Sequence, residues 1–292
     1  MKRGEINIMK KTIMLAFVLC FLFLLSCGSN QGDRTLNYNF KQGVSELDVS
    51  FFDNAPPERI YPTTPFKIIV VLDNQAAYDA TAGTVRIVGL DDHFFRIDQP
   101  EQIFETVEGK SALVPSGEKA YLEFSGAAGE LFENSQEYVN TFFVKVRYSS
   151  KMDFQDTICI NPNLYAVYDA GCKVENTKGY SGQGAPLSVH QLEEIISPGG
   201  SVELRLQLRN QGRGKINTVY MGNALLGGEE MACEFQNAGE NKKMMNFTPA
   251  KQEATIICRK FLKDQNSYTT PIVVGFSYDY EVKEEGRLRM VR

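Results

Sequence analysis

The sequence predicts an all-β chain built as two tandem antiparallel β-sandwich domains, set behind an N-terminal leader and a polar tether. Three observations predict it. Among 292 residues there are 19 Phe, 13 Tyr and 24 Gly, with few Leu/Ala/Glu stretches at helical spacing. Apolar and polar residues alternate in segments such as VELRLQLRN at 202–210. Three segments also recur in the same order at nearly constant offsets, the mark of a duplicated unit.

The alternation assigns strands directly. Val202, Leu204, Leu206 and Leu208 fall on one face, and Glu203, Arg205, Gln207 and Arg209 on the other, the period of a strand with one side in a core and one in water. YPTTPFKIIVVLDNQ (61–75) repeats as SPGGSVELRLQLRNQ (197–211) at an offset of 136, matching Pro62 to Pro198, Phe66 to Val202, Leu72 to Leu208 and Asn74-Gln75 to Asn210-Gln211. LDVSFF (47–52) resembles LSVHQL (187–192) at an offset of 140, and FFVKVRY (142–148) matches IVVGFSY (272–278) at 130. Each unit then runs as a short strand, a Pro-containing loop and a long alternating strand ending in Asn-Gln. A further strand follows (83–90 or 215–221), then less regular segments and a closing hairpin. The hairpin joins 139–149 to 152–160 in the first unit and 271–281 to 286–291 in the second. About seven short strands in roughly 110 residues make a sandwich of immunoglobulin-like size. The expected bounds are a signal peptide at 1–26, a tether at 27–44, one domain at 45–161, a linker at 162–184 and a second domain at 185–292.

The order Pro198, strand 202–208, Asn210-Gln211-Gly212 is similar to bacterial and archaeal surface domains of the CARDB and related Ig-like type. The first unit departs from it, with Ala76 where the glycine would stand. The resemblance implies a non-catalytic module for adhesion, spacing or assembly and does not identify a ligand.

The leader has three parts: basic Lys2, Arg3, Lys10 and Lys11, an unbroken apolar run of 13 residues from Ile13 to Leu25, and small Ser26 before Cys27. That run suits a signal-peptide core and is short of the roughly 20 residues a spanning helix needs. Leu24-Leu25-Ser26-Cys27 resembles the prokaryotic lipobox. This implies that Cys27 receives a lipid thioether and becomes the first residue of the mature chain, held at the cell membrane or cell surface outside the cytoplasm. Cys20 would leave with the peptide.

The full chain carries a net charge of −5, and removing a leader with four Lys/Arg and one Glu (+3) leaves −8. An acidic body with no basic run argues against nucleic acid and against docking on anionic headgroups, so the lipid would be the membrane contact. Residues 28–44 are polar and contain Gly and Asn, as a flexible tether would.

Cys159, Cys172, Cys233 and Cys258 remain after the leader. An even number outside the cytoplasm suggests disulfides. Sequential pairing keeps each bridge local, while free buried thiols are the alternative. The connector at 161–186 carries Tyr165, Tyr168 and Tyr180, which suit packing between domains or a binding surface.

Catalytic signals are sparse. Asp91, Asp92 and His93 could hold a divalent cation, or form a polar turn anchored by Phe94 and Phe95. His190 falls within the strand pattern LSVHQL. There is no Gly-x-Ser-x-Gly, His-Glu-x-x-His, P-loop, dinucleotide fingerprint or EF-hand loop. Asn246-Phe247-Thr248 satisfies the N-glycosylation pattern, relevant in a host that glycosylates.

The expected function is thus a non-catalytic, lipid-anchored envelope protein without a cofactor, its β modules binding, spacing or assembling a partner such as an envelope protein or a glycan. The alternative is a metal-dependent or hydrolytic module using the 91–93 loop. Ile69 and Val71 are the partner-binding candidates. They make their strand apolar on both faces where the second unit has Arg205 and Gln207, so either residues 98–137 or another protein should cover them.

Overall fold

A computed structural model describes residues 39–162, 171–197, 200–262 and 266–292. Cys27, Tyr165, Tyr168 and Pro198 lie outside the described residues. The strands are β1 (Leu47–Phe51), β2 (Pro65–Asn74), β3 (Ala80–Val88), β4 (Phe95–Ile97), β5 (Glu101–Val107), β6 (Lys119–Ala128), β7 (Glu137–Ile160) and β8 (Thr177–Gly179). They continue as β9 (Leu187–Ser197), β10 (Ser201–Asn210), β11 (Lys215–Leu226), β12 (Glu229–Glu230), β13 (Ala232–Phe235), β14 (Met244–Asn246), β15 (Glu253–Phe261) and β16 (Tyr268–Val291). They form antiparallel sheets in the orders β1-β2-β6-β4, β13-β15-β10-β9-β8 and β12-β11-β16-β7-β3-β5, with β14 beside β11. The fold is all-β, an antiparallel sandwich arrangement.

The closing segments correct the sequence reading. Neither makes a hairpin: β7 and β16 are each single strands of 24 residues, and they pair with one another from Tyr268↔Ile160 to Val291↔Glu137. The physical reason is phase. Even-numbered residues stay inward from Phe142 through Met152 to Ile160, and from Ile272 through Tyr280 to Met290. No Gly or Pro interrupts Ser149-Ser150-Lys151 to turn the chain. At about 3.4 Å per residue each strand extends roughly 80 Å.

Pairing on the other side divides each long strand. The first part of β7 pairs with β3, from Val88↔Phe143 to Thr81↔Ser149, whereas the first part of β16 pairs with β11, from Leu226↔Ile272 to Lys215↔Glu281. The far ends pass into the opposite lobe. Gly286 of β16 lies against the rings of Phe142 and Phe51, and Met290 bridges to Ile60, all first-unit residues. Conversely Phe154 of β7 meets the Tyr180 ring edge-on at 5.0 Å. Each sandwich lobe is thus completed by a strand from the other repeat, and Asn39–Arg292 form one compact unit. Ser149 pairs with Asp279, its own equivalent at the 130 offset, and donates to Asp279 Oδ1 at 2.8 Å, so the ladder has a local two-fold centre there.

Elsewhere the repeat appears as equivalent registers. Leu47↔Asn74 and Val49↔Leu72 in the first lobe match Leu187↔Asn210 and Val189↔Leu208 in the second. The paired asparagines close the same loop. Asn74 Oδ1 accepts from Ala76 N at 3.1 Å and Asn74 Nδ2 donates to Tyr78 O at 3.1 Å. Asn210 Oδ1 accepts from Gly212 N at 3.1 Å and its Nδ2 donates to Gly214 O at 2.9 Å. A short amide side chain that serves donor and acceptor at once stabilises such a turn.

Two further contacts fasten the lobes. Glu46 accepts from Tyr280 Oη and from Arg213 Nε (2.7 Å), and Arg213 also pairs with Asp48. Near the start of the described residues, Gly43 bridges to Gln183 and Lys41 lies 5.1 Å from the centre of the Tyr78 ring.

Candidate functional site

On β2, Phe66, Ile68, Val70 and Leu72 point inward, and Lys67, Ile69, Val71 and Asp73 point outward. Ile69 stands opposite Glu123 of β6, and Val71 stands between Tyr121 of β6 and Ser50 of β1. Phe52 N donates to Ile69 O, which brings the Phe52 ring to within 6.1 Å, edge-on, of Tyr121. Phe52 and Tyr121 are 49% and 58% exposed, and Ile69 and Val71 beside them are half-buried, so the face is apolar and partly open to solvent. Within residues 98–137, β6 lies beside β2 in the same sheet and β5 joins the large sheet. Lys67–Glu123 (2.6 Å) and Lys119–Asp73 (2.9 Å) flank the patch.

The equivalent face of the second lobe is polar. Glu203 accepts from Arg205 at 2.8 Å and Arg259 at 2.7 Å, and Arg205 also reaches Glu193. Burial alone would raise the Glu203 pKa, but these two guanidinium hydrogen bonds outweigh it and hold the carboxyl below its ordinary value. Next to this ladder the β9–β10 register slips between Gln207 and Leu208, leaving His190 as the extra residue of a β-bulge rather than a member of a regular alternation. A cleft of about 340 Å³ opens there, lined by His190, Gln207 and residues of the turns before and after β14. Sequence reasoning missed this cleft, because its residues come from four separate segments that no spacing pattern links.

The remaining candidates have structural places. Asp91 Oδ1 accepts from His93 N at 3.0 Å and Asp91 O from Phe95 N at 2.8 Å, so the loop is a polar turn. The His93 ring stacks on Phe132 at 5.4 Å, and Phe94 stacks on Tyr138. Among the described residues no group of three or more His, Cys, Asp or Glu is placed to hold a metal ion. The four cysteines form two bridges, Cys159–Cys172 and Cys233–Cys258. The first fixes the end of β7 to the connector, and the second joins directly opposed residues of β13 and β15. Two such bridges belong to a chain that folds in an oxidising compartment. Tyr180 Oη donates to Asp156 Oδ2, which Lys178 also holds at 2.6 Å. Asn246 is exposed at the rim of the cleft, its Oδ1 accepting from Thr218 at 3.1 Å.

No family model matches the sequence, and no curated protein matches it. Among solved structures the chain is similar to the secreted serine protease VesC from Vibrio cholerae, with 10% identity over 78% of this chain and 49% of that one and a TM-score of 0.22. The chain spans about half the length of that protein. It is also similar to a partial N-terminal region of an enterococcal surface protein (10% identity, 82% and 84% covered, TM-score 0.19). A third is the CupB6 tip adhesin from Pseudomonas aeruginosa (6% identity, 85% and 99% covered, TM-score 0.18). Likenesses of this order assign no activity.

Proposed function

We propose that the protein is a non-catalytic, lipid-anchored module of the cell envelope that binds another envelope protein through the outward face of its first lobe. The observation that carries this reading is the open patch of Phe52, Ile69, Val71 and Tyr121. Two aromatic rings around two aliphatic side chains, rimmed by charge pairs, have the make-up of a protein-binding centre: apolar anchors inside, polar groups around. The disulfides and the lipobox-like Leu24-Leu25-Ser26-Cys27 support the location. The 91–93 loop supports no metal-dependent alternative, since Asp91 is committed to its own turn and His93 to a ring stack.

A photocrosslinking residue at position 69 in intact cells tests this, with position 207 as the matched control. The expected outcome is one envelope protein captured from 69 and not from 207, with Cys27→Ala abolishing capture by releasing the protein from the membrane. Equal capture from both positions, or none from 69 while the chain stays membrane-bound, counts against the reading.

A further inference from the structure

We infer that the cleft beside His190 in the second lobe is a binding site for a neutral saccharide of one or two sugar units. This goes beyond the protein-binding face of the first lobe and depends on none of its residues.

The cleft presents the amides of Gln207, Gln236 and Asn237, the hydroxyl of Thr255, and one opposed pair of charges, Lys251 and Glu253. None of these side chains has a hydrogen-bond or ion-pair partner among the described residues. His190 Nδ1, at the same place, is buried from water and likewise unpartnered. The lining amides, hydroxyl and charges are therefore free to meet a bound molecule, unlike the closed Glu203–Arg205–Arg259 ladder beside them.

The inventory narrows the ligand. A carboxamide offers an acceptor and two donors side by side, which matches neighbouring hydroxyls that each donate and accept. The single Lys and single Glu cancel, so nothing selects an anion or a cation. Met245 adds an apolar wall, suited to the C–H face of a pyranose ring. Strand addition by a peptide is disfavoured because the backbone is already used: Gln207 pairs with Thr255 on one side and Gln191 on the other, and Gln236 N donates to Thr255 O. Recognition therefore falls to side chains. About 340 Å³ lies near the small end of ligand sites, which run from roughly 300 to 1,000 Å³.

The test uses the full chain from a host that does not glycosylate Asn246, titrated to millimolar concentrations with N,N′-diacetylchitobiose, maltose and α-1,2-mannobiose and followed by NMR of the side-chain amides. The expected result is saturable shifts of the Gln207, Gln236 and Asn237 amides with at least one probe. Gln236→Ala, an exposed position at which folding is preserved, should weaken that binding by about tenfold, the scale for losing a hydrogen bond to a ligand hydroxyl. No saturable shift with any probe, or binding unchanged in Gln236→Ala, overturns the inference. Tighter binding of a uronic-acid disaccharide than of the neutral probes overturns the neutral class. Crosslinking from position 69 is untouched by any of these outcomes, so the two readings fail separately.

Discussion

The two lobes are equivalent inside and different outside. Phe66, Ile68, Val70 and Leu72 of β2 have Val202, Leu204, Leu206 and Leu208 as counterparts, all buried. On the opposite face Ile69 is replaced by Arg205 and Val71 by Gln207. The cross-strand partner changes with them, from Tyr121 opposite Val71 to Thr255 opposite Gln207. The same location on the same scaffold is therefore an apolar patch in one lobe and part of a polar cleft in the other. Duplication preserves what packing requires, because inward side chains must fill a shared core. The outward positions are limited only by solvent and are free to take up separate binding tasks.

The largest expected effect tests how far the lobes are separate at all. Ending the chain after Glu281 removes Val282, Leu288 and Met290, which are buried in the first lobe although they belong to the second repeat. At about 1.5–3 kcal/mol for each fully buried side chain, the loss is roughly 5–9 kcal/mol before the ladder itself is counted. Hydrogen exchange should show β1, β2 and β6 losing protection, and residues 171–292 alone should not give a stable β signal by circular dichroism. Retained protection in β1, β2 and β6 of the truncated chain sinks the reciprocal-strand account.

A smaller effect is confined to the second lobe. Glu194 is only 6% exposed, one of its carboxyl oxygens has no hydrogen-bond partner, and burial raises its pKa to about 7, with Lys178 only partly opposing the shift. A carboxyl whose folded pKa lies above its unfolded value of 4.5 destabilises the fold as it ionises. Stability should therefore be greatest at the acid end of the window from pH 4.5 to 7 and should fall as pH rises through it. The slope approaches about 1.4 kcal/mol per pH unit. Asp156 and Glu203, whose pKa values are lowered, act in the opposite direction and below this window. Glu194→Gln should flatten the melting-temperature profile between pH 5 and 7; an unchanged slope would show that another group produces it.

Much of this was legible in the chain. Alternation and the three repeated segments gave the strands, their inward faces and the equivalent Asn-closed loops, because a period of two maps directly onto burial. The closing strands were misread because a hairpin and a continuous strand have the same local alternation. Only long-range pairing, here Ser149 against Asp279, distinguishes them. The cleft was illegible for a related reason: Gln207, Gln236 and Lys251 are brought together by a bulge and two turns, none of which leaves a signature in spacing.

The finest test moves the outward chemistry of one lobe onto the other. Ile69→Arg with Val71→Gln installs at β2 the residues of β10, at positions where side chains project from the sheet. The new guanidinium at 69 would face Glu123 across the strand pair, as Arg205 now has Glu203 and Glu193 within reach. Glu123 already binds Lys67, so the arginine shares a partner rather than entering an uncompensated site. Outward, partly exposed substitutions of this kind change stability by about 1 kcal/mol or less, because surface ion pairs contribute little and the lost apolar burial is small. The melting temperature should therefore shift only slightly, while retention on a hydrophobic-interaction column drops and crosslinking from neighbouring position 121 is lost. A large fall in melting temperature would mean that Ile69 and Val71 belong to the core of the first lobe, and the contrast between an apolar binding face and a polar one would then have no basis.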